Sequence, residues 1–337
     1  MTQVSTERVL LVRLSAMGDV VQCLGATRAL AVARPDLELH FVVQDRFLPL
    51  LDGEEYLTSR IPFDRRGGLA AVWRLRTSLR GLGPDVALDL QGNWKSALVA
   101  WLSGAQLRVG AHRGQRQEPT SAWLLNRQVS WPGPPHPARM AAAVVGVLSP
   151  AITAQPPSLT PTPATVAAAR EDVQGSGIDP DKPFTVFVVT DPPDPRSWRL
   201  PAMRRQLELE TQPVLFLLGP DVSPAELPAD ARVLWHRQEQ LPQLVALGHL
   251  VAGAGGRVMG PDKGPTHVLC AAGASTQVLC GPTDPMRTAP PGAEPLLTRQ
   301  PPPCMPCRRR TCNHPNGPIC MDFSGADAVS ATEQLHA

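Results

Sequence analysis

Residues 8–19 read RVLLVRLSAMGD, and this stretch decides the fold class. The run of Val and Leu at 9–12 predicts a buried β-strand, and the small residues after it end in Gly18 and Asp19. Residues 20–34 then have the pattern of a helix. A strand that leads through a tight glycine turn into a helix is the opening of a βαβ unit.

Strands and helices keep alternating after this opening. An apolar run at 39–43 predicts a second strand, residues 72–82 a helix, and residues 85–90 a third strand. Such alternation implies right-handed βαβ units and parallel sheets. The predicted fold class is therefore α/β, with two doubly wound, Rossmann-like domains that face each other across a cleft. The strand candidates of the second domain are 184–190, 214–219, 231–235, 250–253 and 277–280.

A proline-rich segment without charged residues, PPSLTPTP at 156–163, separates the two halves of the chain. This composition is typical of a connector between domains. A helical pattern at 326–336 is expected to pack back on the first domain. The predicted organisation is a first domain at 1–155, a linker at 156–165, a second domain at 166–322 with a Cys-rich loop at 304–320, and a C-terminal helix at 323–337.

The composition is that of a folded protein with an uneven charge distribution. With 337 residues, 43% hydrophobic residues, 18% charged residues and a net charge of +2, the chain is neither a disordered tail nor a small disulfide scaffold. Residues 1–150 contain 17 Lys and Arg against 12 Asp and Glu, whereas residues 151–337 contain 15 against 18. We therefore expect the first half to bind the more anionic partner.

The lack of recognisable targeting signals and the number of cysteines predict a cytoplasmic protein. No apolar run approaches the roughly 20 residues of a membrane-spanning helix, and residues 1–12 lack the basic start and apolar centre of a secretion signal. Seven cysteines, an odd number, fit a reducing compartment better than a full disulfide framework. Peripheral contact with a membrane stays open.

Asp19 is the first candidate for chemistry, because it follows Gly18 where the first strand passes into the first helix. In an open parallel sheet this is the carboxyl edge, where ligands bind. A carboxylate at this edge could act as a general base. The structural alternative is that Asp19 only complements the positive end of the helix dipole.

The sequence GPDKGPTH at 260–267 is the second candidate, since it is a small-residue turn that opens a helix. Backbone N–H groups and the helix dipole at such a turn can receive a diphosphate. Neither a Walker loop nor GxGxxG is present, and turns of this composition are often only turns.

Four cysteines with ligand-like spacing, Cys304-x2-Cys307-x4-Cys312-x7-Cys320, form the third candidate. They could hold a structural zinc ion, with His314 able to replace one thiolate. The alternatives are two disulfides or four reduced thiols in a proline-rich loop. Arginines at 308–310 could contact phosphates or form a solvated basic turn. A zinc-stabilised nucleic-acid module is disfavoured by the acidic second half, so we expect no nucleic-acid partner.

Three segments together resemble the ADP-heptose:lipopolysaccharide heptosyltransferases, glycosyltransferase family nine. They are VLLVRLSAMGDVVQCLGATRAL at 9–30, DVALDLQGNWKSALVAWLSGAQLRVG at 85–110, and GPDKGPTHVLCAAGASTQVLCGPTDPMRTAPPG at 260–292. The family has the GT-B architecture, in which the first domain binds mainly the acceptor and the second binds the nucleotide-sugar. The resemblance therefore implies this arrangement for the present chain.

The resemblance also implies roles for residues of the second domain. In DPPDPRSW at 191–198, Arg196 matches the family's basic residue two places before Trp, which holds the donor phosphates. Asp262 matches the aspartate of the family's turn G-x-D-[ST]-G-P-x-H. The donor-binding residues implied in this turn are Asp262, Lys263, Gly264, Pro265, Thr266 and His267.

In the first domain, the resemblance makes Asp19 the base that deprotonates the acceptor sugar hydroxyl. Gly18, Lys95 and Arg116 are the predicted acceptor-binding residues, Lys95 mainly from the resemblance and Arg116 because it falls in a loop-like segment of the basic first half. An anionic lipid-linked acceptor would account for Arg116, although an ordinary surface arginine accounts for it too.

The implied activity is inverting transfer of heptose, or a related sugar, from a nucleoside-diphosphate donor to a lipopolysaccharide-type or other glycan acceptor. No cofactor is required if cations and a helix N-terminus stabilise the leaving diphosphate. The implied setting is the cytoplasm, with peripheral contact at the inner membrane. Lys263 departs from the family's Ser or Thr, and the alternative is a catalytically degenerate nucleotide-sugar-binding homologue.

Overall fold

The structure is a computed structural model that describes residues 7–190, 194–219, 222–223, 227–229, 231–235, 240–325 and 328–331. The chain divides into two compact units, Met1–Ser158 and Leu159–Ala337. The division falls inside the proline-rich segment at 156–163.

The first unit is built on a six-stranded parallel sheet with strand order β3-β2-β1-β4-β5-β6. Its central strand β1 buries four of its five residues, as an apolar run between two layers of helices must. Three 3₁₀ segments, Asp45–Leu51, Arg113–Gln115 and Pro119–Leu124, lie between its main elements. These elements are β1 (Arg8–Val12), α1 (Met17–Ala33), β2 (Glu38–Gln44), β3 (Ser59–Phe63), α2 (Gly68–Leu82), β4 (Val86–Asp89), α3 (Trp94–Leu102), β5 (Leu107–Ala111), β6 (Arg127–Val129) and α4 (Pro137–Val145).

Helix α1 is buried on most of its surface, and the chain crosses it closely at Gly25. A Cβ atom at Gly25 would collide with the backbone carbonyl of Gln155, so only glycine allows this close approach. At the carboxyl end of β1, Val12 lies opposite Val42 of β2 and Asp89 of β4. The turns after these strands therefore meet at one edge of the sheet.

The second unit is built on a seven-stranded sheet with strand order β13-β12-β11-β10-β7-β8-β9. All neighbouring pairs are parallel except β12 and β13. The elements are α5 (Pro163–Gly175), β7 (Thr185–Val189), α6 (Leu200–Glu208), β8 (Val214–Leu218), β9 (Arg232–Trp235), α7 (Leu241–Gly253), β10 (Arg257–Pro261), α8 (Gly264–Ala271), β11 (Ser275–Leu279), α9 (Pro285–Thr288), β12 (Glu294–Thr298) and β13 (Ala328–Ser330).

The predicted fold class is confirmed, since both units are α/β with parallel, Rossmann-like sheets. Two local predictions are wrong. Residues 250–253 end helix α7, because a short apolar run fits a buried helix as well as a strand. At the predicted C-terminal helix, residues 328–330 form β13 instead, where Val329 pairs with Leu297 and continues the backbone ladder of the second unit. The rest of the predicted pattern, at 326–327 and 332–336, lies outside the described residues.

In the part of the chain that the structure describes, no helix has the length and apolar character needed to cross a bilayer.

Candidate functional sites

Asp19 lies in the first turn of α1 and is held by a buried arginine. Its Oδ2 atom lies 2.5 Å from Nη2 of Arg13, and the side chain of Asp19 is 37% exposed. Arg13 directly follows β1, and its Nη1 donates to the carbonyl of Leu90, after β4, at 2.6 Å. Two neighbouring strands thus fix one cation that orients the Asp19 carboxylate and balances its charge. The edge of the first sheet therefore presents one ordered, accessible carboxylate.

The turn before Asp19 is also tied to the neighbouring strand. Oε1 of Gln91 accepts hydrogen bonds from the backbone N–H groups of Leu14 at 2.8 Å and Ser15 at 3.3 Å. Neither Arg13 nor Gln91 was singled out from the sequence. The usable signal was Arg13, a charged residue directly after the apolar run at 9–12, since a buried cation needs an anionic partner.

Of the predicted acceptor residues, Gly18 is buried in the first turn of α1 and Lys95 is exposed in the first turn of α3. Arg116 differs from its prediction, because its side chain is fully buried and lies 2.6 Å from Oδ2 of Asp89. The other oxygen of Asp89 accepts from the N–H groups of Gln91 and Gly92, each at 3.0 Å. The structure thus assigns Arg116 to a buried ion pair that supports the turn after β4, in place of an acceptor contact.

In the second unit, the predicted donor residues Arg196 and Lys263 meet at a carboxylate that the sequence analysis missed, Asp194. Nε and Nη2 of Arg196 lie 3.0 and 2.7 Å from the two oxygens of Asp194, and Nζ of Lys263 lies 3.0 Å from its Oδ2. Arg196 follows β7 and Lys263 follows β10, which are paired strands. Asp194 thus holds two cations side by side at this edge of the second sheet, and the carboxylate of Asp262 also acts on Arg196.

The pKa of the Asp194 carboxyl is far below its usual range. Partial burial acts to raise it, but hydrogen bonds from the side chain and backbone of Arg196 and from Lys263 outweigh burial. The same contact with Asp194 raises the pKa of Arg196. Asp194 and Arg196 therefore both stay charged at neutral pH.

Asp262, which follows β10, is buried, and each of its carboxylate oxygens has a hydrogen-bond partner. Its Oδ1 lies 2.7 Å from Nε2 of His267, and its Oδ2 accepts a hydrogen bond from Thr288 at 2.5 Å. Although burial acts to raise the pKa of Asp262, His267 and Thr288 lower it overall. Because both oxygens are occupied, the carboxylate holds the turn in shape and links β10 to the start of α8 and to α9.

The turn at 260–267 opens helix α8 as the sequence predicts. Lys263 occupies the N-cap position without a side-chain cap, and Gly264, Pro265 and Thr266 form the first turn. The N–H groups of such a turn have no intrahelical partner and favour an anion. Gly260 permits the close packing beneath, since a Cβ there would lie 2.6 Å from Cβ of Val188. This helix start and the two cations form a site with the chemistry of a diphosphate receptor.

The four cysteines of the loop at 304–320 differ in their exposure. All four thiols are free, with Cys304 and Cys312 exposed, Cys307 partly exposed and Cys320 buried. Among the residues that the structure describes, no group of three or more His, Cys, Asp or Glu side chains is arranged to hold a metal ion. Burial, and then the nearby Cys307, Cys312 and Cys304, raise the pKa of Cys320 to about 12. The buried thiol of Cys320 packs into the core of the second unit, and the zinc site stays a prediction from the spacing.

The sequence of this chain is similar to sequences of known heptosyltransferases. The family model of glycosyltransferase family 9 (heptosyltransferase) matches residues 72–198, a range that includes α3 and Arg196. Lipopolysaccharide heptosyltransferase 1 of Pseudomonas aeruginosa is 26% identical over 322 residues, which are 91% of this chain and 88% of that protein.

Two solved structures show the same fold. The family 9 glycosyltransferase of Veillonella parvula has a TM-score of 0.69 at 16% identity, over 86% of this chain and 84% of that one. The E. coli heptosyltransferase WaaC with ADP-2-deoxy-2-fluoro heptose has a TM-score of 0.63 at 20% identity, over 86% and 92%. The family model, the curated relative and the shared fold agree in one respect: this chain is similar to glycosyltransferase family 9, the heptosyltransferases.

Proposed function

We propose that this protein is an inverting glycosyltransferase that transfers heptose from ADP-heptose to a lipopolysaccharide-type acceptor. The relative from P. aeruginosa is named for this class of reaction, and the E. coli structure contains an ADP-heptose analogue. The observation that carries the proposal is the convergence of Arg196 and Lys263 on Asp194 beside the N-terminus of α8.

The proposed chemistry divides between the two sites. Asp19 accepts the proton of the acceptor hydroxyl, whose oxygen then attacks the anomeric carbon of the donor sugar. Negative charge grows on the departing ADP at the same time. Arg196, Lys263 and the first-turn N–H groups of α8 stabilise that charge. These groups supply positive charge themselves, so the proposal includes no metal ion.

We further propose an anionic, lipid-linked acceptor and a cytoplasmic location at the inner membrane. The excess of basic residues in the first unit supports an anionic acceptor, because residues 1–150 contain 17 Lys and Arg against 12 acids. Lys95 and Gly18 lie in the first turns of α3 and α1, after neighbouring strands, and are proposed to contact the acceptor.

Release of ADP from ADP-heptose in the presence of lipopolysaccharide acceptor tests the proposal. We expect Asp19→Asn to lower kcat at least about a hundredfold, because a general base contributes roughly 10²–10⁴ in rate. Asp36→Asn is the matched control, since Asp36 is also an exposed carboxylate paired with an arginine, Arg34, at 2.6 Å. Unchanged turnover in Asp19→Asn would remove Asp19 as the base.

The Lys263–Asp194 ion pair favours one other candidate, a donor-binding protein without transferase activity. In that case the wild type binds ADP-heptose, but Lys263 prevents the transfer step and no ADP is released. Turnover by the wild type excludes this candidate. Turnover that appears only in Lys263→Thr supports it.

A further inference from the structure

Helix α3 carries an apolar stripe on its solvent side. Trp94, Leu98 and Trp101 are 42%, 39% and 49% exposed, and their spacing of four and three residues places them on one face. The opposite face buries Ala97 and Ala100 against the sheet. A helix that is apolar on both faces is expected to be covered on both.

Helix α3 packs against the neighbouring 3₁₀ segment Pro119–Leu124. Trp123 in this segment is 81% exposed. An open groove of about 280 Å³ is lined by Trp94, Lys95, Leu98, Trp101 and Leu124. We call Trp94, Leu98, Trp101 and Trp123 the tryptophan face. Contiguous exposed apolar side chains of this kind mark an interaction surface.

Basic residues surround the tryptophan face. Residues 64–127 contain ten Lys and Arg against four Asp and Glu, and one residue of each kind, Arg116 and Asp89, is buried in their ion pair. Lys95 lines the groove, Arg108 donates to the carbonyl of Leu124 at 2.9 Å, and Arg80 donates to the carbonyl of Leu102 at the end of α3 at 3.1 Å. The acid at the groove is Glu118, which accepts a hydrogen bond from the N–H of Trp94 at 2.6 Å.

We propose that the tryptophan face docks on the surface of an anionic lipid bilayer. Tryptophan is the side chain that favours the boundary between acyl chains and headgroups, and nearby Lys and Arg bind anionic headgroups. A second copy of the chain is disfavoured as the occupant, because a two-fold symmetric contact would set the same basic segment against itself.

Docking at this face would serve the proposed transferase, on which this step of the inference rests. Helix α3 begins just after β4, and Asp89 of β4 lies opposite Val12 of β1, which leads to Asp19. The tryptophan face therefore starts at the sheet edge that carries the candidate base. A bilayer bound there holds a lipid-linked acceptor close to Asp19.

Vesicle flotation tests the proposal with the full chain. The probes are phosphatidylcholine vesicles with and without one quarter phosphatidylglycerol. We expect the wild type to float with the anionic vesicles, less so at high salt, and the triple variant Trp94→Ala/Trp101→Ala/Trp123→Ala to bind roughly tenfold more weakly or not at all. Trp235→Ala is the matched control, because Trp235 in the second unit is as exposed as Trp94, at 42%.

Fluorescence quenching and ADP calorimetry complete the test. Lipids brominated on their acyl chains should quench the tryptophan fluorescence of the wild type and quench the triple variant much less. The proposal is overturned if the triple variant still binds the vesicles. It is also overturned if this variant loses the ability to dimerise while its vesicle binding is unchanged. ADP affinity, measured by calorimetry, should be equal in both proteins. If the protein does not bind ADP, the proposed transferase function is contradicted. The vesicle result still tests docking on the bilayer in that case.

Discussion

Asp194 and Lys263 form an ion pair across two neighbouring strands, with Oδ2 of Asp194 3.0 Å from Nζ of Lys263. The same oxygen lies 2.7 Å from Nη2 of Arg196. The family pattern has a small hydroxyl at position 263, so this chain adds a second cation to the turn. Asp194 keeps the long lysine side chain beside Arg196, with only 14% of it exposed, and thereby prevents it from extending freely into solvent.

Lys263→Thr should bind ADP about tenfold more weakly than the wild type at low salt, because it removes one of two cations from the phosphate site. The salt dependence of binding should also be weaker, since fewer charges attract the diphosphate. Isothermal calorimetry at two salt concentrations measures both effects. Lys182→Thr is the matched control, because Lys182 lies in the same unit, pairs with Asp179 and is 78% exposed. Tighter ADP binding in Lys263→Thr would mean that the lysine obstructs the site.

The depressed pKa of Asp194 gives a pH-dependent contribution to folding. The carboxyl is more acidic in the folded chain than its ordinary unfolded value of about 3.9, so its contribution is complete above that pH and is lost as the pH falls further. Asp194→Asn should therefore destabilise the protein by roughly 1–2 kcal/mol at neutral pH. Thermal melts from neutral pH down to below about pH 4 should show this difference shrink. A difference that stays constant would assign the stabilisation to packing instead of charge.

The parts of the site that could be predicted from sequence are local ones. Asp19 follows an apolar run and a small-residue turn, and this order along the chain already places it at a sheet edge. The turn from Asp262 to His267 is local in the same sense, because its helix begins within the motif itself. In both cases the residues involved are close together in the sequence, so their types alone predict the local backbone conformation.

The parts that could not be predicted depend on which strands are neighbours. Asp194 acquires its role because β7 pairs with β10, and Arg13 because β1 pairs with β4. Arg116 follows the same rule, since its polar surroundings in sequence predict a surface loop, whereas Asp89 draws it into the interior. The spacing of apolar residues along the chain does not show which strands will be neighbours in the sheet.

Arg116→Ala should destabilise the protein by about 3–5 kcal/mol, because it leaves the Asp89 carboxylate buried without its cation. Urea unfolding measures the loss. Arg113→Ala, an exposed arginine in the same segment, should change stability by no more than about 0.5 kcal/mol. The double variant Asp89→Asn/Arg116→Met should recover part of the stability, since no charge then remains unpaired. A fully stable Arg116→Ala variant with a raised KM for the acceptor would return Arg116 to the ligand-binding role that the sequence suggested.

Thiol titration should separate exposed cysteines from buried ones. Burial raises the pKa of Cys23 to about 12 and of Cys270 to about 11, and these thiols should react with a disulfide reagent only after unfolding. Cys304 and Cys312 are exposed and free, so we expect them to react at once in the native protein, with the partly exposed Cys307 following. The chelator-treated protein should give the same count, because the described residues form no metal-ligating group. Native thiols at 304, 307 and 312 that become reactive only after chelation would contradict this and would support the zinc site that their spacing predicts.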